Sequence, residues 1–141
     1  LTLVYYRVAQ GMPEQTILAF DFGLKKVGVA LGNTVLKQAQ PLTIIRAITR
    51  QERFAQIEAL LATWQPDVLV VGLPLTTEGQ EQYASAHSRR FANQLHGRFN
   101  KPVVLVDERG SSLEAQALLG THADDDAVAA AVILQRYFDQ A

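Results

Sequence analysis

An α/β fold with a mixed five-stranded sheet flanked by helices is predicted by three observations along the 141 residues. Thr16–Leu31 carries two short strand-like runs separated by a tight link, Val68–Leu73 and Val103–Val106 are apolar runs of strand length, and amphipathic helical stretches alternate with them. Hairpins supply the antiparallel part of such a sheet and helical crossovers the parallel part. A chain of this length is one domain's worth. With 48% apolar and 19% charged residues it can bury a sizeable core, which excludes disorder as the main state.

The elements follow in order. Leu1–Pro13 shows no period, and Met12 precedes the first apolar run, so residues 1–13 are expected to be an extension or a cloning remnant and 14–141 a single domain. Thr16–Phe22 (TILAFDF) and Val27–Leu31 (VGVAL) are strands joined by a turn at Gly23–Lys26, with a third short strand near Leu42–Ile45 after Pro41. Thr49 and Glu52 form a capping box, and Phe54, Ile57, Leu60, Leu61 and Trp64 recur at helical spacing until Pro66. Val68–Leu73 reads as a strand covered on both faces and ends at Pro74. Ala84, Ser88, Phe91, Ala92, Leu95 and Phe99 stripe a second helix, followed by a buried-type strand at Val103–Val106. Ser111 and Glu114 form a second capping box opening a short helix through Leu119, and Ala127, Ala130, Ala131, Leu134, Tyr137 and Phe138 stripe the last helix.

The absence of cysteine excludes a disulfide framework, a thiolate zinc site and a cysteine nucleophile, and fits a cytoplasmic protein. No apolar run reaches membrane-spanning length, so no membrane partner is expected. Net charge is -1, yet the charges are segregated: Lys25, Lys26, Lys37, Arg46, Arg50 and Arg53 face one acid, Glu52, between positions 25 and 53, whereas the last 35 residues hold seven acids against Arg109 and Arg136. A basic rim beside an acidic spot is the expected surface.

Ligands of an open sheet bind beyond the carboxyl ends of its strands. Asp21 falls near one such end, Asp107 and Glu108 close another, and Asp124, Asp125 and Asp126 open the last helix. An acid inside TILAFDF is costly unless it is paired, hydrogen-bonded or metal-bound. Oxygen donors suit hard cations, so Mg²⁺ or Mn²⁺ is the fitting cofactor. Because side chains alternate along a strand, only one of Asp107 and Glu108 points into a shared site. Asp124 and Asp125 also serve as helix caps, and the choice between Asp125 and Asp126 as the third acid stays open. His87, His96 and His122 lack metal-ligand spacing, Ser111 and Ser112 read as caps, Phe54 and Trp64 read as core, and Gly72 receives no chemical role.

The motifs DFGLKKVGVALG (Asp21–Gly32), VVGLPL (Val70–Leu75), HGRF (His96–Phe99), DERGSSLEA (Asp107–Ala115) and DAVAAAVILQRYF (Asp126–Phe138) resemble, in this order, those of the YqgF or RuvX family, a bacterial branch of the RuvC-related nucleases. The resemblance implies an RNase H-like three-layer fold and a metal-dependent nuclease that matures the 5′ end of precursor 16S ribosomal RNA. Its alternatives are a Holliday junction resolvase acting on branched DNA, or a non-catalytic module of the same fold that binds RNA or ribosome precursors. It places Asp21, Glu108 and Asp126 in the catalytic, metal-holding positions, with two ions expected, and Gly23, Lys25, Lys26 and Arg109 on the substrate side. Gly110 and the short 120–124 loop depart from the family pattern. An actin-like nucleotide site, which also begins with Asp-x-Gly, needs a second lobe that 141 residues do not supply.

Overall fold

The computed structural model describes residues 14–109 and 126–140. The expected extension at 1–13, the capping box at Ser111 and Glu114, the helix through Leu119, and Asp124 and Asp125 lie outside the described residues. Five strands, β1 (Thr16–Phe22), β2 (Lys26–Asn33), β3 (Gln40–Arg46), β4 (Val68–Leu73) and β5 (Val103–Asp107), form one sheet in the order β3-β2-β1-β4-β5. The pairs β1–β2 and β2–β3 are antiparallel, and β1–β4 and β4–β5 are parallel. Helices α1 (Arg50–Trp64) and α2 (Tyr83–Phe99) cover one face and α3 (Asp126–Asp139) the other.

Local chemistry accounts for most of the boundaries. The Thr49 hydroxyl accepts the Glu52 backbone N–H at 3.1 Å and donates to the Glu52 carboxylate at 3.1 Å, so Thr49 caps α1 through its side chain rather than through a full reciprocal box. Gln65 stops α1 in the left-handed region at φ 47°, and its N–H closes on the Leu61 carbonyl. β3 begins at Gln40, before Pro41 rather than after it. As an edge strand beside a register shift at Val29 and Ala30, it tolerates a residue without an N–H.

Strand parity sorts the core. Leu18, Phe20, Val27, Val29, Leu69 and Val71 pack with Phe54, Ile57, Phe91 and Leu95 beneath α1 and α2. Ile17, Ala19, Ala30, Val68, Val70 and Val106 pack with Ala130, Ile133, Leu134 and Phe138 of α3.

Four expectations need correction. β5 is not a strand buried on both faces: it is the sheet's outer strand, and Val104 is 37% exposed. Trp64 is 39% exposed on the last turn of α1 rather than core. On α2, Ser85 replaces Ala84 on the buried face, because its hydroxyl donates to the Pro74 carbonyl and accepts the Gln82 N–H. On α3 the buried arc is wider than predicted and includes Val128, Ala129, Val132 and Ile133. Among the described residues, no helix is long and apolar enough to cross a membrane.

Candidate active site

The odd-numbered residues of β1 face α3, which puts Asp21 on the same side as Ile17 and Ala19 at the carboxyl end of the strand. On β5 the same face carries Val106, so its next outlet is Glu108, while Asp107 turns to the other side. Asp21 and Glu108 approach to hydrogen-bond distance. Burial, partly offset by Glu108 and reinforced by the negative charge of Asp126, pushes the Asp21 carboxyl up to about 6. Asp126 stands in the first turn of α3, and Lys26 at the start of β2 lies 3.7 Å from its carboxylate.

Two glycines make this convergence possible. Gly28 of β2 pairs with Asp21 across the hairpin, and a Cβ on it would lie 1.9 Å from the backbone oxygen of Asp126. The bare strand lets the start of α3 sit directly on the sheet beside Asp21. Gly72 of β4 follows Val71, the partner of Phe20, and so flanks Asp21 on the other side. A Cβ there would lie 2.8 Å from a Glu108 carboxylate oxygen and 2.5 Å from the Ile133 Cδ1. The Glu108 carboxylate thus occupies the space a side chain on β4 would fill. The sequence reading gave neither glycine a chemical role. The available signal was a glycine inside an otherwise apolar strand, which marks a close approach.

The substrate-side residues divide. Gly23 lies in the turn, where a Cβ would come 2.7 Å from the Lys26 carbonyl oxygen. Lys25 is exposed on that turn, and Lys26 is drawn back toward Asp126. Arg109 spends its fork elsewhere: its Nε and Nη2 meet the Asp107 carboxylate at 2.8 and 2.7 Å, and its Nη1 donates to the Thr77 carbonyl at 3.2 Å. The guanidinium holds the Asp107 carboxyl below its ordinary value and pins the loop between β4 and α2. A phosphate contact from Arg109 requires giving up one of these partners.

The donor chemistry fits a hard divalent cation: Asp21, Glu108 and Asp126 offer carboxylate oxygens alone. Among the described residues, no three acidic or histidine side chains close to metal-ligand spacing. Asp21 and Glu108 form the compact pair, with Asp126 at its flank.

Known proteins resemble this chain over most of its length. The family profile for RuvX, described as Holliday junction resolvase, matches residues 15–140. A Bordetella parapertussis protein named "Putative pre-16S rRNA nuclease" is 70% identical over 128 residues, covering 91% of this chain and 96% of its own length. A Burkholderia mallei protein of the same name is 49% identical over 130 residues, 89% of each chain. Among solved structures, Thermus thermophilus RuvC in complex with Holliday junction substrate superposes with a TM-score of 0.53 at 17% identity, covering 89% of this chain and 94% of that one. The Fowlpox virus resolvase with Holliday junction DNA gives 0.56 at 15% identity, covering 89% and 97%. At these identities the two structures establish the RNase H-like fold alone.

Proposed function

Given that the chain belongs to the RuvX family, we propose that it is a divalent-metal-dependent phosphodiesterase of the cytoplasm that processes the 5′ end of precursor 16S ribosomal RNA. The observation that carries the reading is the Asp21–Glu108 carboxyl pair at the end of the sheet, with Asp126 beside it. Holding two carboxyls together in a half-buried position is unfavourable for the fold and is retained where the acids have work to do. The names borne by the relatives favour ribosomal RNA as the substrate.

Asp21, Glu108 and Asp126 would hold Mg²⁺ or Mn²⁺, with two ions the fitting number. When bound, the metal supplies Lewis acidity and a water deprotonated near neutral pH. The residues around it handle the substrate. Lys25 on the exposed turn offers a charge to the phosphodiester backbone, and Lys26 balances Asp126. Gly23 keeps the turn narrow, so a backbone can come close to Asp21. Arg109 holds the rim loop through Thr77 and is the remaining candidate for a bidentate phosphate contact. Residues 14–141 act in this reading as a single nuclease unit.

A second reading, cleavage of branched DNA, uses the same carboxylates and is favoured by the family's description. Both are tested by incubating the purified chain with precursor 16S RNA, linear RNA and a four-way DNA junction, each in Mn²⁺ and in chelator. Cleavage of the precursor RNA in Mn²⁺ alone, lost in Asp21→Asn, is the expected result. Junction cleavage without RNA cleavage would shift the substrate to DNA. Undiminished cleavage by Asp21→Asn would remove the site, and RNA affinity in chelator without any cleavage would leave a binding module.

A further inference from the structure

The basic rim noted in the sequence is only partly absorbed by the active site. Its helical portion borders a cleft between α1 and α2 of about 540 Å³, lined by Arg50, Phe54, Ala55, Glu58, Arg98 and Phe99. The floor is aromatic: Phe54 is buried and in ring contact with Phe99 at 6.4 Å. The Arg98 guanidinium lies over the Phe54 ring at 4.2 Å. Arg50 is exposed at the start of α1, and among the described residues neither Arg50 nor Arg98 forms a salt bridge. Glu58, two turns further along α1, is the one acid in the lining.

The cleft is joined to the catalytic turn. Arg53, one turn after Arg50, sits over the Phe22 ring at 5.0 Å and donates to the Leu24 carbonyl at 3.0 Å. Phe22 directly follows Asp21 and stacks on Phe91 at 4.6 Å, and Phe91 in turn stacks on Phe54 at 6.0 Å. Positive charge therefore runs from Lys25 on the turn through Arg53 and Arg50 to Arg98, over a continuous aromatic support. Guanidinium groups grip phosphates bidentately and offer planes on which unstacked bases lie. The cleft's volume suits a nucleotide-sized unit rather than a lone phosphate.

From this placement we propose that the α1–α2 cleft is a second substrate subsite, in which Arg50 and Arg98 hold a stretch of RNA strand remote from the bond cut at Asp21. The assignment of RNA rests on the function proposed above. The subsite would lengthen the contact and orient the strand, and it would contribute affinity without reading sequence.

The test is binding of a fluorescent RNA spanning the precursor and mature 5′ ends of 16S RNA, measured by anisotropy in chelator across a salt series. The Arg50→Gln/Arg98→Gln chain should bind at least tenfold more weakly at moderate salt. Its log–log salt slope should fall by about 1.4, the value for two lost single-strand phosphate contacts. Arg50→Gln alone, at an exposed position that does not support the core, should lower the slope by about 0.7 and decides the matter if the double variant unfolds. Unchanged affinity and slope would overturn the subsite. Loss confined to a four-way DNA junction would overturn RNA as its occupant. Mn²⁺-dependent cleavage of the same RNA by the wild-type chain is scored separately, so a failed cleft with intact, Asp21-dependent cleavage leaves the nuclease standing, and a working cleft without cleavage does the reverse.

Discussion

The two faces of the sheet solve different problems. Beneath α1 and α2 the packing is bulky and aromatic: Phe91 meets Phe20 edge-on at 5.8 Å and stacks with Phe22 and Phe54. Beneath α3 the sheet presents Ala19, Ala30, Gly28 and Gly72 to a helix that continues from Asp126 with Ala127, Val128, Ala129 and Ala130. Large side chains on the first face exclude water and hold the layers together. Small ones on the second let a helix backbone and a carboxylate come close enough to Asp21 to build a site. Both faces bury a core, but the α3 face also carries the carboxyls, and neighbouring residues Phe20, Asp21 and Phe22 alternate between the two.

That division can be broken from either side. Truncating Phe91 to Ala removes the ring at the centre of the aromatic cluster and should destabilise the chain by about 3 to 5 kcal/mol, read from denaturant unfolding. A loss below about 1 kcal/mol would mean that the aromatic face is not the main source of stability.

On the other face the sign reverses. The Asp21 carboxyl is pushed up to about 6. The folded chain therefore binds that proton more tightly than the unfolded one, whose carboxyl titrates near 4. Stability from this group is full below pH 4 and is lost as pH rises past 6, a loss of up to about 3 kcal/mol. Asn cannot ionise, so Asp21→Asn in chelator should be more stable than wild type at pH 8 by up to about 3 kcal/mol, with the gain vanishing near pH 4. Unfolding curves at the two pH values check it, and a pH-independent difference would contradict the burial argument.

A smaller effect is expected at Gly28. An added methyl group meets the Asp126 backbone, so Gly28→Ala should cost about 1 to 3 kcal/mol while moving the third acid away from the pair. Cleavage should fall by more than the stability change explains, and parallel melts and rate measurements separate the two.

Much of this organisation is legible in the sequence, because it rests on short-range rules. TILAFDF and VLVVGL are strands to the residue, and Thr49 with Glu52 caps α1 as the spacing predicts. Asp107 and Glu108 part as strand alternation predicts: Glu108 meets Asp21 and Asp107 meets Arg109. What pattern cannot supply is the identity of a neighbour. VVLV looks the same at a sheet's centre and at its rim, so the exposure of Val104 became visible only with the strand order. Ser85 is polar, so the pattern favours Ala84 for the buried face, although a carbonyl from the preceding loop satisfies the Ser85 hydroxyl in the core. Gly28 and Gly72 are silent in composition, since their function is the room they leave for atoms distant in sequence. Arg109 reads as a free phosphate grip until Asp107 and Thr77 are found to occupy it.

In the function proposed above, the glycine niches beside Asp21 let the Asp21–Glu108 pair, with Asp126 at its flank, hold a divalent cation. Calorimetric titration with Mn²⁺ addresses it without reference to any substrate. Wild type should bind Mn²⁺, and Asp21→Asn and Gly72→Ala should each bind it at least tenfold more weakly while remaining folded. Equal Mn²⁺ affinity in all three chains would contradict the account.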